Sequence, residues 1–196
     1  MNEQTKLVIN FEPLSSEKEL FDATLEYTEI WKSESEKIIA MFEKVSSSKF
    51  TEKEIKVFVY EGISRSGRSE DDPMRLRASY SADVKKATLI HELGHRFLFR
   101  FENQQHGLDA HQILFLILYD IWTELYGQEF ADKQVAIESA RKGIYDYEKT
   151  WKWALALGRK DREKMFRKIR SMSALSFNMD SDQKQVLLNK ISEIIE

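Results

Sequence analysis

The stretch Leu89-Ile90-His91-Glu92-Leu93-Gly94-His95-Arg96-Phe97 places two histidines four residues apart, with a glutamate directly after the first. On a helix, side chains at that spacing stand one above the other on one face, so both imidazoles can reach a single ion. Glu92 projects beside His91, placed to take a proton from a water that the ion activates. Residue types and spacing together point to zinc-dependent hydrolysis, with His91 and His95 as ligands and Glu92 as general base. The flanks strengthen this. Leu89 and Ile90 before the motif, and Phe97, Leu98, Phe99 and Phe101 after it, give an apolar surround that an exposed helix with an incidental histidine pair would lack. Gly94 costs about 1 kcal/mol relative to Ala in a helix interior, so its presence implies a packing or access reason.

Several elements must hold this helix. Lys6 to Phe11 is a short β-branched run closed by Pro13 and is expected to be a strand. Ser15-Ser16-Glu17-Lys18 has N-cap chemistry and opens a long amphipathic helix to about Val45, ended by Ser46-Ser47-Ser48. Its apolar positions include Leu20, Phe21, Leu25, Ile30, Ile38, Ile39 and Phe42. Ile55 to Tyr60 is the clearest strand, and the polar residues between Gly62 and Pro73 form a loop. Arg65 and Arg68 in that loop are expected to be solvated. Met74 to Tyr80 alternates like an edge strand, with Arg75 and Arg77 opposite Met74, Leu76 and Ala78. A free edge just ahead of the motif helix would let an extended substrate pair with it. Ser81 caps the motif helix, which runs to about Glu102.

Asp109 is expected to cap the next helix, ending at Gly127. A long aromatic-rich helix then spans about Gln128 to Leu157, followed by helices near Asp161–Met172 and Ser181–Ile195. The fold class is α+β and mostly α: strands near 6–11, 55–60 and 74–80 packed on the motif helix, then a helical C-terminal part. Residues 1–127 form the expected catalytic core. Residues 128–196 form a helical extension packed on it, within what amounts to one domain.

A catalytic zinc needs a third protein ligand and an open position for water. If two antiparallel helices meet near Gly107, residues equally far from the turn lie side by side. That rule sets Tyr119 and Asp120 level with His95, and Thr123 and Glu124 level with His91. It sets His106 and His111 on the order of 15 Å along the axis from His95. Asp120 also sits in the apolar run from Ile113 to Trp122, where a buried carboxylate needs a cation. Asp120 is therefore the expected third ligand, and Glu124 the acceptor that orients the His91 ring, with the two roles open to exchange. Pairing of Asp120 with Arg96 or Arg100 is the competing explanation. Tyr80, Tyr119 and Tyr126 are candidate oxyanion donors among which no spacing rule chooses, and the stripe from Tyr145 to Trp153 reads as core.

His91-Glu92-Leu93-Gly94-His95, followed by a helix bearing Asp120 and Glu124, resembles the zincin metallopeptidases, and among them the gluzincins and the small ImmA/IrrE-type peptidases. In gluzincins the second helix carries a glutamate ligand and, four residues on, an aspartate that braces the first motif histidine. Here that order is reversed. The resemblance covers about Ile55 to Gly127. It implies a zincin-like fold, a Zn2+ cofactor, and a peptide or protein substrate cleaved by water that Glu92 deprotonates.

Composition narrows the field. With 42% hydrophobic and 12% aromatic residues, the chain can bury a core and is not a disordered segment. A net charge of −3 argues against nucleic acid or an anionic membrane as partner. With no cysteine, a metal must be held by histidines and carboxylates. The first six residues lack an apolar signal core, and Ile113–Tyr119 is too short to span a bilayer, so a cytoplasmic protein is expected. Two rival readings stand beside the peptidase: a non-catalytic metal-binding or regulatory interaction module with the same fold, and a purely structural helical domain.

Overall fold

The computed structural model describes residues 7–102, 108–143 and 145–176. The expected helix at Ser181–Ile195, His106 and the turn at Gly107 lie outside these residues. The chain divides into two compact units, Met1–Phe97 and Leu98–Glu196.

The first unit is built on a parallel three-stranded sheet in the order β1-β2-β3, from Val8–Pro13, Glu54–Tyr60 and Met74–Arg77. Helix α1 (Lys18–Ser46) makes the crossover between β1 and β2, and residues 61–73 return the chain for β3. Alternation sets one sheet face toward the core: Ile9, Ile55, Val57, Val59, Met74 and Leu76 are all buried. Tyr27 of α1 stacks on Phe11, its ring 6.1 Å away, and its hydroxyl donates to the Arg77 carbonyl at 2.9 Å. Burial is the main reason the Tyr27 phenol is held well above its ordinary range, with Tyr80 and then Glu92 adding to the effect.

Two expectations for α1 need correction. Glu17, not Ser15 or Ser16, is the N-cap, and only its backbone carbonyl serves the first turn. Of the expected apolar positions Leu20, Ile30, Ile38 and Phe42 are buried and are joined by Tyr27 and Trp31, whereas Phe21 and Leu25 are half exposed. Ser47 ends the helix in the left-handed conformation at φ 52.

Strand β3 stops at Arg77, short of Tyr80. Its burial alternates as an edge strand should, yet its outer edge is not free. The return loop doubles back so that Arg65 and Arg75 exchange both backbone hydrogen bonds, at 2.8 and 2.9 Å. The Arg77 amide donates to Ser64 Oγ at 3.0 Å, and the Arg77 carbonyl accepts from Tyr27. The edge that would have met an extended substrate is occupied by the chain itself.

Helix α2 (Ala82–Glu102) carries the motif. From Val84 to Leu98 every side chain except Lys86 is buried. Phe97 joins Phe42 and Phe50 in an aromatic cluster with centroids 5.4–6.4 Å apart.

The second unit is arranged on α3 (Ala110–Tyr126). Asp109 and Gln112 form a reciprocal capping box at its start: Asp109 Oδ1 accepts from the Gln112 amide, and Gln112 Oε1 from the Asp109 amide. From Ile113 to Leu118, and again at Ile121 and Trp122, the side chains are fully buried. A helix that is apolar all round must be surrounded. Helices α4 (Gln128–Ser139), α5 (Tyr147–Ala156) and α6 (Arg159–Ser176) pack on it. Phe115 stacks face to face on Trp151 at 3.7 Å. The single long helix expected over Gln128–Leu157 is two helices. Asp146 caps the second by accepting from the Lys149 amide at 2.9 Å, and Gly143 lies in the break. No helix among the described residues is long and apolar enough to cross a membrane.

Candidate metal centre

His91 and His95 lie one turn apart on α2, and their Nε2 atoms are 3.2 Å from each other. The rings are inclined by 56° with centroids 5.0 Å apart. Two nitrogens that each sit roughly 2.0–2.1 Å from a tetrahedral zinc are about 3.3 Å from one another. The spacing suits a shared ion, and equally an N–H···N hydrogen bond from one imidazole to the other. Both rings are buried, as is Glu92 between them in sequence.

His91, His95 and His111, all buried, are the histidines among the described residues that could hold a metal ion. Three imidazoles suit zinc or another divalent transition metal and leave a coordination position open for water. His111 stands in the first turn of α3, its ring set among Tyr145, Tyr147 and Phe115 at centroid distances of 4.5, 4.8 and 5.7 Å. The equal-distance rule had left it out of the ligand set in favour of Asp120.

Asp120 is buried as expected, but its cation is an arginine. Arg162 of α6 donates to it from Nη2 at 2.6 Å and from Nε at 3.2 Å. The same guanidinium also donates to the Leu157 carbonyl at 2.7 Å and lies over the Tyr119 ring. Arg96, proposed as an alternative partner for Asp120, is engaged elsewhere. Glu124 is partly exposed and bonded to Arg159 at 2.8 Å, with further interactions of its own. Neither carboxylate belongs to that group of candidate ligands among the described residues.

Arg96, directly after His95, is the hub that fastens the return loop to α2. Its guanidinium donates to both oxygens of Glu52 and to the carbonyls of Ser66, Glu70 and Asp72. Burial pushes the Glu52 carboxyl up, and the hydrogen bonds from Arg96 oppose that rise. Gly67 passes this hub at φ +95, where a Cβ would run into the Asp72 carbonyl oxygen and approach the Arg96 guanidinium. Nearer the start of α2, buried Lys85 reaches Glu26 at 2.5 Å and lies 5.7 Å from the Tyr27 ring centroid.

Comparison with protein-family models, with curated proteins and with solved structures finds no match to this chain. The reading of the site thus rests on its own residues.

Proposed function

We propose that this chain is a zinc-dependent hydrolase with a zincin-like active helix, acting on peptide bonds. In this reading His91, His95 and His111 hold the ion, with His111 taking the place that the spacing rule gave to Asp120. The observation that carries it is the 3.2 Å approach of the His91 and His95 Nε2 atoms on a buried helix face that also bears Glu92. A divalent ion bound there supplies the Lewis acidity that makes water a nucleophile near neutral pH. Glu92 takes the proton from that water and returns it to the leaving amine, as its position beside His91 suits. The apolar flanks keep bulk water from the histidines, which strengthens electrostatic interactions within the site.

Glu92→Gln separates the catalytic claim from the metal claim. The variant should bind zinc as the wild type does and lose metal-dependent hydrolysis of a denatured protein substrate by about 100-fold or more. Retained hydrolysis in that variant would remove Glu92 from the role assigned to it.

One observation favours a second reading, a metal-binding module without peptidase activity. Ser64 and Arg65 already fill the outer edge of β3, so the backbone pairing that serves peptidases of varied sequence preference is not offered there. Under that reading wild type and Glu92→Gln bind zinc alike and neither shows metal-dependent hydrolysis.

A further inference from the structure

Five threonines lie within the described helices: Thr24, Thr28, Thr88, Thr123 and Thr150. Four of them turn the hydroxyl back onto the carbonyl one turn earlier. Thr24 donates to Leu20, Thr28 to Thr24, Thr123 to Tyr119 and Thr150 to Asp146, at 2.7–3.0 Å. Thr88 does not. Its side chain is 1% exposed, and Oγ1 has no hydrogen-bond partner among the described residues. A helical threonine always has the carbonyl four residues earlier within reach, so giving up that bond in a buried place is unfavourable unless something else uses the hydroxyl.

The position of Thr88 says what that is. At 3.6 residues per turn, Lys85, Thr88, His91, Glu92, His95 and Arg96 fall within an arc of about 140° on α2. All six are buried, so the buried polar side chains of α2 are gathered on one side of the helix, with Val84 and Phe99 interspersed among them. Helical side chains lean toward the N-terminal turn, which brings His91 and Glu92, three and four residues on, over the turn that holds Thr88. Thr88 thus shares a side of α2 with the two residues that would handle water and substrate, and its hydroxyl has both its donor and its acceptor capacity unspent.

We propose that the Thr88 hydroxyl is a binding group of this site, holding an oxygen atom of the ligand next to His91 and Glu92: water in the resting protein, and a carbonyl, carboxylate or hydroxamate oxygen when such a ligand enters. This rests on the metal reading above. Thr88 is a positioning residue; it takes no proton and forms no covalent bond. A buried hydroxyl without an internal partner weakens the fold, and its use is in the bound state.

The test compares wild type, Thr88→Val and Thr88→Ser as full-length protein. In urea, metal-free Thr88→Val should be as stable as the wild type or more so, because the methyl replaces a hydroxyl that bonds nothing. Loaded with Co2+, all three should bind the ion within about twofold of one another, since Thr88 is not a ligand. Acetohydroxamate, titrated by the visible spectrum of the Co2+ protein, should bind Thr88→Val about tenfold more weakly and Thr88→Ser within about twofold of wild type. Equal acetohydroxamate affinity in Thr88→Val would overturn the proposal. So would a tenfold loss in its folding equilibrium, or failure to fold, because either would make the hydroxyl structural. A wild type that takes up no Co2+ overturns the metal reading and this proposal with it, and that result is seen before any variant is made.

Discussion

The Asp120 carboxylate and the Arg162 guanidinium, 42 positions apart, meet in a two-bond ion pair with both side chains nearly sealed from solvent. Removing one charge from such a pair leaves the other buried and uncompensated. Asp120→Asn should therefore lower the unfolding free energy by about 3–5 kcal/mol in urea titrations. Its zinc content should equal that of the wild type. A variant that keeps its stability and loses its metal would return Asp120 to the ligand set.

His111→Ala should behave in the opposite way. Loss of a direct ligand should weaken zinc binding by more than the roughly 10- to 100-fold that follows loss of a hydrogen-bond partner to a ligand. Competition with a chromophoric chelator measures this, and circular dichroism verifies that the helices persist. Undiminished affinity in His111→Ala would strike it from the centre.

Gly67→Ala tests the fastening of the return loop. Its φ of +95 and the nearness of the Asp72 carbonyl leave no room for a methyl without moving the loop. A loss of about 1–3 kcal/mol is expected, read as a lower urea midpoint at unchanged slope. No change would mean that the loop is not pinned to Arg96 in solution.

Tyr27 gives the chain an alkaline weakness. Its phenol is raised in the folded state, mainly by burial, so the folded protein keeps this proton where the unfolded chain releases it. The stabilisation is fully present below the unfolded value of about 10 and is lost above it, at up to about 1.4 kcal/mol per pH unit. Tyr27→Phe removes that dependence while losing the bond to Arg77, which contributes about 1 kcal/mol. Urea unfolding at pH 8, 10 and 11 should show the gap between wild type and variant shrinking as the pH rises. A constant gap would mean that Tyr27 does not titrate on unfolding in this range.

Local chemistry is what the sequence made readable. The Asp109 N-cap and the two-fold alternation in β3 are each determined by neighbours a few positions away, and both are found. The break between α4 and α5 was missed because Gln128–Leu157 contains no proline and was read as one aromatic-rich helix. The Asp146 cap and Gly143 inside it were the signals available. The need of Asp120 for a cation was legible, but its identity was not. Arg162 looks like any other charge on a strongly charged helix until α6 is laid against α3. The role of Arg96 was equally hidden, since three of its acceptors are backbone carbonyls, which every residue has. His111 was set aside by a spacing argument, and its burial in the first turn of α3 is visible only in the fold.

The central claim is that His91, His95 and His111 hold one metal ion. Its most direct test is the metal content of protein purified without added metal, measured by mass spectrometry alongside His91→Ala, His95→Ala, His111→Ala and Asp120→Asn. About one equivalent of zinc in the wild type and in Asp120→Asn, with background levels in the three histidine variants, is the predicted result. Background metal in every sample, remaining at background after dialysis against Zn2+, would contradict it.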